Sequence, residues 1–144
     1  SNVKKGNKYF YDLKNLDSVV KNKDFVINLL PKTKLTQDIF NMKIFKNMSK
    51  KSFFINLGRG EAVNEKDLEK AIIKKEIGGA ALDVIKNEPV KKNFSLLKYN
   101  NVIVTPHIAG INTVYKKKQV DLFEENLKRF LCGKKLIFSI KKDY

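Results

Sequence analysis

A chain of 144 residues with 42% hydrophobic content is long enough to bury one real core, and it reads as a globular domain. Its net charge of +15 invites nucleic acid, yet Arg59 and Arg129 are the only arginines among 30 Lys+Arg, leaving 28 Lys spread along the chain beside 15 Asn. That is a Lys/Asn composition bias, whereas a phosphate-reading surface would favour clustered Arg, so no nucleic-acid partner is expected.

No apolar run approaches the roughly 18 residues of a membrane span, and no apolar stretch follows the polar residues 1–8 to make a secretion signal. No membrane partner is expected. A Ser1-Asn2 start without Met fits a tag remnant or an excised fragment. The single Cys132 excludes an internal disulfide and fits a reducing, cytoplasmic compartment. One Cys and one His cannot build a structural zinc site, so no metal is expected.

Residues 1–7 are polar and read as loose, and 8–11 could form a short strand. Leu13, Leu16, Val19 and Val20 stand at helical spacing and predict an amphipathic helix over 13–23. Residues 24–30 form an apolar strand ended by Pro31. Its apolar residues on both faces suit a central parallel strand covered by helices. Two helical pieces are expected over 33–40 and 41–48, the second N-capped by Asn41.

A strand over 52–56 follows and stops on Gly58-Arg59-Gly60. Asn64 caps the next helix, with Asp67 at its third position, near the positive end of the dipole. Leu68, Ala71 and Ile72 are its buried stripe, and Gly78-Gly79 are expected to stop it. Residues 80–84 make a strand of small side chains. An irregular stretch spans 85–99, and 101–105 is a fourth apolar strand ended by Pro106. The last helix covers 113–132, with Val120, Phe123, Leu127 and Leu131 on one face and Gly133 closing it. The tail carries one more apolar run at 136–138.

Strands alternating with helices through short connections predict an α/β fold, a parallel sheet in right-handed crossovers. Ligands of such sheets bind outside the carboxyl ends of the strands. Those ends carry Leu30-Pro31, then Gly58-Arg59-Gly60, then Asp83 with Glu88 beyond it, then Thr105-Pro106-His107, which holds the only histidine. An Arg, a carboxylate and a His on adjacent strand ends form a kit. The Arg grips a substrate carboxylate and polarises a carbonyl. The His moves a proton, and the Glu holds it in one tautomer.

Three segments resemble the signature segments of the D-isomer-specific 2-hydroxyacid dehydrogenases. They are Phe53-Phe-Ile-Asn-Leu-Gly-Arg-Gly60, Gly79-Ala-Ala-Leu-Asp-Val84 with Asn87-Glu-Pro89, and Val104-Thr-Pro-His-Ile-Ala-Gly110. Their order fits, as do the spacings of 29 residues from Arg59 to Glu88 and 19 more to His107. The resemblance covers nearly the whole chain from about Leu16.

It implies an oxidoreductase passing a hydride between NAD, with NADP not excluded, and a small 2-keto or 2-hydroxy acid. Arg59 would orient the substrate, His107 would be the acid/base and Glu88 its partner. Cofactor contacts would fall on Leu30, Pro31 and Thr36 near the adenosine half. On the nicotinamide side they would fall on Leu57, Gly58, Arg59, Asp83, His107, Ala109 and Gly110. Formate dehydrogenases of the same superfamily carry Gln where Glu88 stands, so the Glu favours a hydroxyacid substrate. A homodimer is implied as well.

Blander roles stay open for single residues. Asp83 could simply bond backbone amides at a strand end, Glu88 could be a loop charge, and turn chemistry alone could explain Pro31 and Thr36. A non-catalytic nucleotide-sensing or regulatory module of the same fold is the alternative function.

The fold's G-x-G-x-x-G phosphate loop is not found: Gly58 and Gly60 follow a strand, but Val63 stands where a third glycine would be. The acidic residue that would bind the ribose is absent too, Asp12 lying too close to the next helix to match. The chain therefore reads as the C-terminal part of a doubly wound, Rossmann-like dinucleotide-binding domain. Its first βαβ unit would lie outside residues 1–144, and the 134–144 tail would return to a missing substrate domain. On its own the chain is expected to be inactive, with Val120, Phe123 and the 136–138 run lacking partners.

Overall fold

In the computed structural model, residues 11–111 and 113–139 are described. Two compact units divide the chain, 1–109 and 110–144. The first unit is built on four parallel strands: β1 (Phe25–Asn28), β2 (Phe53–Asn56), β3 (Gly79–Leu82) and β4 (Val102–Val104), ordered β1-β2-β3-β4. Three helices accompany them, α1 (Leu16–Val19), α2 (Met42–Asn47) and α3 (Glu65–Ile73). The expected α/β parallel sheet is what the chain builds.

Strict register stacks Val26, Phe54, Ala80 and Val102 in one row across the sheet. That face holds the core. Phe54 is fully buried and meets Phe40 and Phe45 at ring-centroid distances of 4.9 and 5.4 Å, with Leu68, Ala71, Ile72, Ile77 and Leu96 around them. The caps work as the sequence predicts. Asn41 Oδ1 accepts from the Lys43 amide at 3.0 Å, and Asn64 Oδ1 accepts from the Asp67 amide at 3.2 Å. Asp67 also accepts from the Met42 amide, 3.0 Å, tying the start of α3 to the start of α2.

Four expectations are corrected. The helix over 13–23 is a 3-10 turn, Leu13–Asn15, followed by the single turn of α1. Residues 33–40 form turns instead of a helix. The Thr36 hydroxyl bonds the Pro31 carbonyl at 2.6 Å and the Thr33 hydroxyl at 3.0 Å, side-chain bonds that compete with a helical backbone. Helix α3 ends at Ile73, ahead of the glycine pair. Lys75 takes the left-handed conformation, φ 52°, with the Glu76 amide closing onto the Ala71 carbonyl.

The fourth correction concerns β1, which lies at an edge of the sheet among the described residues. Its second apolar face is exposed: Phe25 and Ile27, with Phe53 and Ile103 from β2 and β4, remain 42–64% accessible. The strand expected at 8–11 and the loose segment 1–7 lie outside the described residues, apart from Tyr11, which is not in a strand.

The second unit is the helix α4 (Thr113–Leu131) and its turn. Gly133, φ 65°, closes it, and the Lys134 amide bonds the Arg129 carbonyl at 2.8 Å. The Asn126 side chain clasps Ile137 at both amide (2.8 Å) and carbonyl (3.1 Å). Val120, Phe123, Leu127, Phe130 and Leu131 are all exposed. Residues 140–144 of the tail lie outside the described residues.

Candidate active site

Parallel strands end on one edge, and the candidate residues follow those ends. Arg59 comes three residues after β2, Asp83 directly after β3, and His107 three after β4. The corner around Arg59 is set by close approach. A Cβ at Gly58 would lie 2.7 Å from the Leu30 carbonyl oxygen, and one at Gly60 only 2.0 Å from the carbonyl carbon of Ile85. Only glycine lets the chain pass between the exits of β1 and β3 at these points. Arg59 itself is extended, φ −140°, and its side chain is exposed. Its guanidinium donates to the Gly58 carbonyl at 2.7 Å, and it has no ion-pair partner among the described residues.

Asp83 organises the turn beyond β4. Oδ1 accepts from the Thr105 hydroxyl (2.6 Å) and the Ile108 amide (2.9 Å), and Oδ2 from the Ala109 amide (3.0 Å). Its own carbonyl accepts from the His107 amide at 2.9 Å. These bonds hold His107 at φ 53°, a left-handed conformation that costs a side-chain-bearing residue about 1 kcal/mol or more. Burial works to raise the Asp83 carboxyl. The Thr105 hydroxyl, the Ala109 and Ile108 amides and the nearby His107 outweigh it and hold the group below the usual carboxylate range.

Glu88 arrives from the loop after β3. Its Oε2 stands 2.8 Å from Nδ1 of His107, and its Oε1 accepts from the Ile85 amide at 3.3 Å. An ionised carboxylate only accepts, so in this contact Nδ1 is the donor and Nε2 is the ring nitrogen not engaged by Glu88. The His107 side chain is half exposed and that of Glu88 a little over a third. A cavity of about 320 Å³ adjoins the pair, walled on its apolar side by Ile85, Val90 and Val104.

The remaining candidates divide. Leu57 is exposed beside Arg59, and Leu30 packs against the core edge. Pro31 is exposed, and its carbonyl receives the buried Thr36 hydroxyl. Ala109 lies on the turn that Asp83 holds, and Gly110 belongs to the second unit. For a dinucleotide the edge offers exposed apolar side chains beyond β1, β2 and β4, namely Leu29, Leu57 and Ile108, against which flat rings can lie. It offers no metal cluster among the described residues.

Two residues escaped the sequence reading. Asn28 and Asn56 close β1 and β2 as register partners and are buried. The Asn28 amide donates to Asn56 Oδ1 at 2.8 Å. The one signal in the sequence was a polar Asn within each of two otherwise apolar strands.

The chain is similar in sequence and fold to several known proteins. The chain is 36% identical over 118 residues to glyoxylate reductase of Thermofilum pendens, a match covering 82% of this chain and 35% of that protein. It is 37% identical over 120 residues to glyoxylate/hydroxypyruvate reductase B of Escherichia coli, covering 83% and 37%. The chain thus spans little more than a third of the length of these relatives. Among solved structures, the NADPH-dependent glyoxylate/hydroxypyruvate reductase of Sinorhizobium meliloti, in complex with NADP and sulfate, superposes with a TM-score of 0.82 at 34% identity. That match covers 92% of this chain and 43% of the other. A D-isomer specific 2-hydroxyacid dehydrogenase from Xanthobacter autotrophicus, in complex with NADPH, gives 0.83 at 29% identity, covering 92% and 54%. The family profile described as "D-isomer specific 2-hydroxyacid dehydrogenase, NAD binding domain" matches residues 1–109, and the chain belongs to that family.

Proposed function

We propose that this chain is the C-terminal part of the dinucleotide-binding domain of an NAD(P)-dependent oxidoreductase. The enzyme interconverts a small 2-keto acid and the corresponding D-2-hydroxy acid. The observation that carries the reading is the 2.8 Å contact between His107 Nδ1 and Glu88 Oε2 at the strand-exit edge, with Arg59 on the same edge. The named relatives act on glyoxylate or hydroxypyruvate, and two matched structures hold NADP or NADPH, which favours a short keto acid and admits either dinucleotide.

A bound nicotinamide supplies the hydride for the keto carbon. Arg59, which forms no ion pair among the described residues, binds the substrate carboxylate through its planar fork. His107 presents Nε2 to the substrate's carbonyl oxygen. It gives that oxygen a proton on reduction and takes one back on oxidation. Glu88 holds Nδ1–H and so keeps Nε2 as the exchanging atom. Asp83 seats the turn that carries the imidazole. Leu57 and Ile108 give the ring an apolar bed at the exits.

The test is a steady-state assay of the full-length protein with glyoxylate, hydroxypyruvate and pyruvate, each with NADH and NADPH. Oxidation of the reduced cofactor is expected with at least one acid. No turnover with any combination would refute the reading.

A further inference from the structure

The Arg59 corner is fastened from beneath by a single carboxamide. Asn56 ends β2 with its side chain on the core face, 1% accessible. It makes four hydrogen bonds, which is everything an Asn side chain can do in one place. Oδ1 accepts from Asn28 Nδ2 at 2.8 Å and from the Gly58 amide at 3.3 Å. Nδ2 donates to the carbonyl of Arg59 and to the carbonyl of Val84, each at 3.3 Å. Asn28 passes the chain of bonds on, its own Oδ1 accepting from the Leu30 amide at 3.0 Å.

One buried group therefore touches three strand exits: Leu30 through Asn28, the Gly58-Arg59 corner directly, and Val84 after β3. No buried side-chain polar atom among the described residues lacks a partner, so the network is complete. A fully satisfied buried polar network fixes one arrangement, because any displacement leaves a group unpaired in a dry place. The two glycines beside Arg59 already press the corner against Leu30 and Ile85. Packing stops the corner from moving inward, and the carboxamide stops it from lifting away.

We propose that Asn56 is the positioning residue for Arg59. It sets the plane of the Arg59 peptide against the β3 exit, whose loop delivers Glu88, and so fixes the carboxylate-gripping side chain relative to the His107–Glu88 pair. The inference rests on the reading of Arg59 as the substrate-orienting residue. Asn56 touches no substrate and acts through the corner.

The decisive variant is Asn56→Asp in the full-length protein. It keeps the shape and the acceptor that Asn28 and Gly58 use, and removes both donors. A carboxylate would then face two carbonyl oxygens. Asn28→Ala is the companion, because it leaves both donors in place.

Amide hydrogen exchange reads the anchoring without reference to activity. Exchange of residues 58–62 and 84–86 is expected to rise about tenfold or more in Asn56→Asp, with that of α3 unchanged. In turnover, KM for the preferred 2-keto acid is expected to rise about tenfold, kcat to fall less, and the Kd of the reduced dinucleotide to stay within about twofold. Asn28→Ala should show the smaller KM change. Exchange at 58–62 equal to that of the unsubstituted protein would overturn the proposal, as would an acceleration spread evenly over the sheet. So would an unchanged KM, or a KM and a cofactor Kd that rise together. If the unsubstituted protein turns over no 2-keto acid, the proposed activity fails, while the exchange data still decide whether Asn56 holds the corner.

Discussion

Nδ1 of His107 and Oε2 of Glu88 stand 2.8 Å apart, one side chain from the β4 exit and the other from the loop after β3. Only Nε2 is then available to a substrate. His107→Gln is expected to lower kcat by about 10²-fold or more, the usual worth of a positioned proton donor. Glu88→Gln keeps a hydrogen-bonding partner but loses its charge, and is expected to cost less, about tenfold. Both side chains are partly exposed, so neither change should move the melting temperature much. Steady-state kinetics beside thermal melts checks the pair. Loss of activity in step with loss of fold would contradict it.

Arg59 is extended and exposed, and its guanidinium donates to the Gly58 carbonyl at 2.7 Å without an ion pair among the described residues. Arg59→Lys keeps the charge and loses the planar fork. It is expected to raise KM for the keto acid by about tenfold, and Arg59→Ala by about 10²-fold. Initial-rate measurements over a wide substrate range decide it: equal KM values for Lys and Arg would show that bidentate geometry is not in use.

Asp83 carries a pH dependence whose sign follows from its bonds. Its carboxyl is held below its ordinary value in the folded chain, against burial, by Thr105, Ala109 and Ile108. The stabilisation is therefore fully present above the unfolded-state value of about 4 and is lost as pH falls through the lower folded value. Asp83→Asn is expected to cost about 2 kcal/mol at pH 7, from lost charge-assisted bonds to a buried group. The cost should shrink towards pH 3. Urea midpoints at the two pH values check this, and a gap that widens on acidification would reverse the assignment.

Gly60→Ala would place a methyl carbon 2.0 Å from the Ile85 carbonyl carbon, and the atoms it meets are backbone that cannot rotate aside. A loss of about 3 kcal/mol or more is expected. Chemical denaturation of this variant beside Ala62→Gly, a buried position two residues on, separates the clash from ordinary sensitivity of the region.

No G-x-G-x-x-G loop lies within residues 1–144, so dinucleotide binding by this chain alone should be weaker than micromolar. Calorimetry with NAD and NADP on the 144-residue chain measures it. Micromolar affinity would mean that the β1 to β4 exits suffice without a phosphate cradle.

The strands were legible because each is a short apolar run punctuated by Gly or Pro, and alternation with helices left a parallel sheet as the natural arrangement. Arg59, Asp83, Glu88 and His107 were legible as candidates because strand exits are where such sheets keep their chemistry. Residues 33–40 were misread because Thr33 and Thr36 spend their hydroxyls on the local backbone, which a hydrophobic period cannot register. The place of β1 was misread because apolar side chains on both faces say that a strand is built for burial, and do not say what covers it in this chain. Asn28 and Asn56 were missed for a deeper reason. Their pairing is a property of the register between two strands, and neither strand's sequence contains it. Likewise, Asp83 was expected at the site, but its grip on the His107 turn depends on amides 25 and 26 residues away.

The uncovered side of the sheet, with Phe25, Ile27, Phe53 and Ile103 open to water, alters how this chain comes apart. Side chains that are wet in the folded state contribute little new hydration on unfolding. The heat-capacity increment of the chain should accordingly fall below the usual 12–15 cal/mol/K or so per residue, and the denaturant slope below that of a sheet clad on both faces. A shallow unfolding curve from this chain therefore follows from surface already exposed, and it carries no implication of a partly folded intermediate.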